Sequence, residues 1–292
     1  MLSHIIDQRR RNLGNLEVGR VLPAPGCRMV GPFVFLDHIG PVTLPAGLPA
    51  SADVRPHPHI GLATVTYLFS GEIMHRDSVG VQQAIRPGEV NWMVAGRGIT
   101  HSERFEKARA SGDLLHGIQT WVALPTQLEE IEPQFEHHPA VMLPLVESPG
   151  VVVRVIAGRA YGHESPVTTH SPLFYAHAQL AQDSQLQLPV GYPERAVYVA
   201  AGQVQYEGER HGAGRLLVFN ENADAPLHAI EPATLMLLGG DPVGPRYIDW
   251  NFVSSSQARI QLARADWRAG RFKLPDFDNG EFIPLPEDQP AR

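Results

Sequence analysis

The chain has 292 residues, 43% of them hydrophobic, with a formal net charge of -7 and a single cysteine. The length suits two domains, each with its own core, and the acidic balance argues against charge-driven nucleic-acid binding. Cys27 has no internal partner for a disulfide, which fits a reducing, cytoplasmic setting.

Read in chain order, Arg9, Arg10 and Arg11 precede no apolar stretch, so the N-terminus does not read as a secretory signal. Short runs rich in Val, Ile, Leu, Tyr and Phe follow, punctuated by 27 glycines and 26 prolines. That pattern predicts strands over 33–36, 62–69, 71–76, 89–95, 99–105 and 118–124. A helical turn is expected over 126–132. Four prolines between 133 and 149 mark an interdomain connection. Strands resume at 151–157, 173–180, 185–190, 195–204, 216–219 and 234–238. One helix is expected near the end: Ser254, Ser255 and Ser256 offer caps, Ile260, Ala263 and Trp267 share a face, and Gly270 closes it. The tail from Phe272 should wrap the surface. The domains expected are 1–132, a linker 133–149, and 150–292. No run reaches the length of a membrane span.

Two short motifs carry the chemistry. His57-Pro58-His59 and His101-Ser102-Glu103 each place two donors at a spacing of two. On a strand such residues point the same way. Pro56 and Pro58 bias the residues before them toward extended backbone. If the alternation continues, Ala63, Val65, Tyr67 and Phe69 share the face of His57 and His59, while Ile99 and Phe105 flank His101 and Glu103. A buried carboxylate and imidazole need a partner. Three imidazoles and one carboxylate aimed at one point suit a divalent transition metal. Surface or hydrogen-bonded histidines are the plain alternative, since the chain holds 14 of them. His75 and Asp77 share a face beside the first hairpin, either as an orienting pair behind a ligand or as a structural ion pair. His38 and His116 read as structural; His163, His170, His177, His211 and His228 read as surface or loop residues.

A weak echo, Tyr67–Gly71 against Tyr198–Gly202, points to two related domains. If those glycines correspond, Leu188 and Val190 stand where the first copy has His57 and His59, and Pro232 and Thr234 stand opposite His101 and Glu103. The second domain is then expected to lack a metal site.

At these residues the chain resembles the pirins, members of the cupin superfamily. The likeness rests on M-V-G-P-F-V-F-L-D-H (29–38), H-P-H-I-G (57–61), H-R-D-S (75–78), W-M-V-A-G-R-G-I-T-H-S-E (92–103), W-N-F-V-S-S-S (250–256) and E-F-I-P-L-P (281–286). The usual cupin glutamate after H-x-H is absent, since Ala63 and Thr64 occupy its places; the carboxylate at Glu103 is the pirin arrangement. The resemblance implies an all-β fold of two tandem antiparallel cupin barrels with metal in the first only. Its ligands would be His57, His59, His101 and Glu103. It also implies quercetin 2,3-dioxygenase activity in bacterial members and nuclear, redox-sensitive transcription cofactors in eukaryotic ones.

The expected function is therefore a metal-dependent dioxygenase opening the heterocycle of a quercetin-like flavonol with O2 and releasing CO. Iron(II) is the first metal expected, with Mn, Co, Ni, Cu or Zn as alternatives. Glu103 would be a fourth ligand or the general base, and Tyr67 and Phe105 are candidate pocket residues. The rival is a non-enzymatic, metal-containing redox sensor that binds a protein partner.

Overall fold

A computed structural model of the protein describes residues 1–13, 16–221 and 223–287. Two β-barrels dominate it, and each is built from one large and one small antiparallel sheet. In the first barrel the large sheet runs in the order Gln134–His138, Val90–Val94, Leu62–Ser70, Asp113–Ala123, Phe33–Leu44, Leu16–Leu22, Arg9–Leu13. Its small sheet has the order Val54–His59, Ile99–Arg104, Ile73–Asp77, Gln82–Ile85. Leu68, Leu115 and Ile39 of the large sheet pack on Ile73 and Ile85 of the small one, which closes the barrel.

The second barrel repeats the plan. Its large sheet runs Leu2–Asp7, Arg215–Phe219, Glu194–Ala201, Ala233–Gly240, Leu173–Leu180, Val151–Ala160, Leu145–Ser148, and the small one Gln185–Gln187, Pro226–Ala229, Gln203–Tyr206, Glu209–Gly212. Leu186, Leu188, Val204, Leu217 and Leu227 fill its interior. Here the echo needs correction. Pro226–Ala229, not the segment at Pro232 and Thr234, pairs with Gln185–Gln187 as Ile99–Arg104 pairs with Val54–His59. A shorter loop shifts the offset that a glycine-to-glycine count supplies.

The two large sheets pack face to face. Ala63, Val65, Tyr67 and Trp92 of the first meet Tyr175, Tyr198, Leu216 and Met236 of the second in one continuous core. This is why Leu62–Ser70 is apolar on a face that points away from its own barrel.

The chain crosses between the barrels at both ends. Leu2–Asp7 joins the second barrel's sheet beside Arg215–Phe219. The stretch over 133–149 carries two strands, one paired into each large sheet. After the second barrel, a hairpin of Tyr247–Asp249 and Phe252–Ser254 leads to a helix, Gln257–Arg268. Ser256 caps it by accepting from the Arg259 amide, and Ile260, Ala263 and Trp267 face inward. That face packs on Ile60 and Phe252, so the last helix belongs spatially to the first barrel. A short helix over Glu106–Ser111 was not expected; only two turns long, it follows Phe105 and stops at Gly112. The helical turn expected over 126–132 forms as one 3-10 turn, Thr126–Leu128. No helix among the described residues is long and apolar enough to cross a membrane.

Candidate metal centre

Val54–His59 lies at the edge of its sheet, where proline costs no ladder bond. Its neighbour pairs so that Ile99 faces His59 and His101 faces His57. The three imidazoles therefore cluster, tilted or edge-on to one another: ring centroids are 4.3 Å apart for His57 and His101, and 5.1 Å for each of the other two pairs. One ring nitrogen from each lies within 4.8 Å of the others, and all three residues are buried. Among the described residues this is the one such group of three or more histidine, cysteine or carboxylate side chains.

The tautomers follow from the partners. His57 Nδ1 lies 2.9 Å from the Arg55 carbonyl, and His59 Nδ1 lies 3.0 Å from the Asn251 carbonyl. Only an N–H can serve there, so each Nε2 keeps its lone pair. Asp77 Oδ1 accepts from the amides of Val79 and Val81, and its Oδ2 accepts from His75 Nε2 at 2.9 Å. His75 Nδ1 is then bare and meets His101 Nδ1 at 3.4 Å. His101 must carry its proton on Nδ1, which leaves Nε2 bare as well. That Nε2 is buried without a hydrogen-bond partner. Three neutral imidazoles with their back nitrogens tied off and their front nitrogens free are what a divalent ion needs. Burial holds all three rings well toward the neutral form: His57 is pushed down to about 4, and His59 and His101 lie below their ordinary value too. The residues present fit a metal.

Glu103 sits two residues beyond His101, half-buried, and its carboxylate stands outside the 4.8 Å group. The register against Val54–His59 shifts between His101 and Glu103, so strict alternation does not carry across that step. Burial raises the Glu103 carboxyl to about 7.

The alternation assumed beyond His59 also breaks. Gly61 adopts φ +69, where a Cβ would lie 2.0 Å from the Val253 carbonyl; the chain turns there from the small sheet into the large one. Ala63, Val65 and Tyr67 consequently face the second barrel, and Tyr67 does not line the metal site. Phe105 packs in the core between the two sheets of the first barrel, with Leu68 and Ile85. The residues near the histidines are others. Trp121 meets His59 edge-on at 5.2 Å and stacks on Phe35 at 4.0 Å, and Phe135 stacks on His75 at 4.6 Å. Phe35 and Trp121 sit on expected strands, but within apolar runs that do not single them out. Nothing local marks Asn251 or Phe135. His75 and Asp77 are paired at 2.9 Å, as the ion-pair reading has it, and His75 also meets His101 at 3.4 Å, as the orienting reading has it. Three surface cavities, of about 700, 340 and 290 Å3, are lined by other residues; the donor chemistry marks this site.

Comparison with known proteins agrees with this geometry. Residues 15–122 match the Pirin family model, and residues 175–273 match the Pirin C-terminal cupin domain. A pirin-like protein of Caulobacter vibrioides is 58% identical over 288 residues, spanning 98% of this chain and all of that one. A Pseudomonas aeruginosa protein, provisionally named a quercetin 2,3-dioxygenase, is 37% identical over 91% of this chain and 83% of its own. The crystal structure of quercetin 2,3-dioxygenase from Acinetobacter baumannii superposes with a TM-score of 0.89 at 33% identity, covering 99% of this chain and 97% of that one. The chain, with its two cupin domains, belongs to the pirin family.

Proposed function

We propose that this protein is a metal-dependent dioxygenase that opens the heterocyclic ring of a quercetin-like flavonol with O2 and releases CO. The observation that carries the reading is the convergence of His57, His59 and His101, with Nδ1 of the first two against backbone carbonyls and His101 Nε2 buried without a partner. The names of the Pseudomonas and Acinetobacter relatives support the substrate class.

His57, His59 and His101 would hold the ion, iron(II) in the first instance, with Glu103 as a fourth ligand or, swung away from it, as the general base. When bound, a divalent transition metal supplies Lewis-acid polarisation of the flavonol 3-oxygen and electronic access to O2. The chain's own groups do the rest. Unligated, a carboxyl raised to about 7 by burial is matched to proton abstraction near neutral pH, which suits Glu103 to take the 3-hydroxyl proton as general base. Asp77 and His75 hold the His101 ring in one tautomer. Phe35 and Trp121 give an aromatic wall that keeps water from the reacting ring.

The test is turnover. Load the protein anaerobically with iron(II), add quercetin and air, and follow the flavonol absorbance together with evolved CO. Loss of absorbance with stoichiometric CO is expected. No turnover with iron, manganese, cobalt, nickel or copper would leave the second reading, a redox-sensing metalloprotein that binds a protein partner. One observation favours that rival: all three histidines are buried.

A further inference from the structure

Between the two barrels lies a cleft of about 290 Å3 that the metal centre does not use. Residues from both units line it, among them Tyr67, Phe69 and His116 from the first and Val152, Arg154 and His177 from the second. The chain carries a net charge of -7, yet no carboxylate lines this cleft. Arg154 is its one full charge. Its guanidinium donates to the Ala140 carbonyl and lies beside the Tyr67 hydroxyl, and it forms no ion pair among the described residues.

The polar atoms are ordered by their partners. Tyr67 OH lies 2.9 Å from His177 Nδ1. The Arg154 charge beside that oxygen turns the hydroxyl proton away from it toward Nδ1, so His177 carries its own proton on Nε2. That Nε2–H is buried and has no partner. On the opposite side Tyr198 donates to Gln8 at 2.9 Å, so its oxygen accepts from His38 Nδ1 at 2.8 Å. His38 Nε2 is then bare and accepts from His116 Nε2 at 2.8 Å. The first system ends in an unused donor, and a guanidinium stands next to it.

The walls are aromatic. Phe69 lies 4.7 Å from the His116 ring and 5.0 Å from the His177 ring, tilted against both. Leu68, Pro87 and Leu145 complete an apolar lining. A planar ring gains contact on such faces, and a guanidinium with free N–H groups matches a carboxylate in geometry and charge.

We propose that the cleft between the barrels is a second ligand site that takes a small aromatic carboxylate, its ring among Phe69, His116 and His177 and its carboxylate on Arg154 and His177 Nε2. The site is separate from the three-histidine centre and does not rest on the dioxygenase reading. It also joins the two units, so its ligand would bridge them.

The probe is benzoate, titrated into the full-length protein by calorimetry and followed through the imidazole 15N resonances. One site per chain is expected, with shifts concentrated at His177 and His116. Arg154→Gln should weaken binding at least tenfold, and benzyl alcohol, which keeps the ring without the charge, should not bind. Inorganic phosphate should compete poorly. If Arg154→Gln does not fold, Val152→Trp fills the cleft from its other wall and should abolish binding. Absence of benzoate binding, undiminished binding in either folded variant, resonance shifts confined to the three-histidine centre, or phosphate binding as tightly as benzoate would each overturn the proposal.

Discussion

Asn251 fixes the ring of His59 from 192 residues away: its carbonyl accepts from Nδ1 across 3.0 Å. The first barrel supplies the histidines, but the segment that follows the second barrel supplies the atom that sets one tautomer. Val253 donates to the Ile60 carbonyl, and Phe252 packs against Ile60, so the hairpin is seated beside the H-x-H strand.

Glu129 holds that hairpin in place. Its carboxylate accepts from the Ser254 hydroxyl at 2.8 Å and from the Ser255 amide at 2.8 Å, and it lies 2.9 Å from Arg246 Nε. The approach to Nε is too oblique for a hydrogen bond there, so the attraction is that of two buried charges. Removing one partner leaves an uncompensated buried charge, at a cost of about 3–5 kcal/mol. Glu129→Ala should lower the free energy of unfolding by that amount in urea. Metal affinity should fall with it, by about 10–100-fold, because the Asn251 carbonyl loses its anchor. An unchanged urea midpoint would remove Glu129 from this role.

The Asp77–His75–His101 chain makes a more local prediction. Asp77→Asn keeps the shape but loses the charge that favours a proton on His75 Nε2. His75→Phe removes the acceptor behind His101 altogether. Both variants should fold, and both should bind zinc about 10–100-fold more weakly than the parent. Competition against a chromophoric chelator measures this without any reliance on turnover. Parental affinity in His75→Phe would mean that the 3.4 Å contact has no influence on the site.

Much of this was legible in the chain. The two H-x-[HE] motifs lie on strands, and the register pairs His101 with His57 as the spacing required. The terminal helix was written in its serine cap and its Ile260–Ala263–Trp267 stripe. The failures share one cause: long-range packing resets a local rule. Alternation carried from His59 through Tyr67 ignores the turn at Gly61, which moves the chain into another sheet. A strand buried on both faces gives no sign of which apolar face meets the neighbouring barrel. His177, read as a surface or loop residue, sits on a strand at the seam between the barrels. Its spacing holds no hint of that, because its partner Tyr67 lies 110 residues away.

Glu103 separates holding the metal from using it. His101→Ala removes a ring nitrogen of the converging set and should leave the purified protein nearly free of metal. Glu103→Gln should retain most of its metal and lose quercetin turnover by about 10²–10⁴-fold, the usual worth of a general base. Metal analysis and the rate of flavonol loss, measured on the same preparations, distinguish the two roles. Full turnover in Glu103→Gln would exclude this carboxylate as the base.

The histidines at the barrel seam set an acid limit on stability. Burial, followed by the nearby His116, pushes His38 down to about 4; burial, followed by Arg154 and then His116, pushes His177 to about 4 as well. An unfolded chain titrates both near 6.5. Above that pH neither state binds a proton at these rings, and their neutral packing contributes in full. As the pH falls from about 6.5 toward 4, the unfolded state takes up protons that the folded state refuses. Stability then drops by up to about 1.4 kcal/mol per pH unit for each ring, and the loss levels off below the folded values. Urea midpoints of metal-free protein should therefore fall between pH 6.5 and 4.5. A His38→Gln, His177→Gln double variant should show a shallower fall over the same window, because fewer protons separate its two states. Parallel slopes for parent and variant would mean that these two rings bind protons equally in both states, and would leave the acid loss to other buried histidines, the three-histidine centre among them.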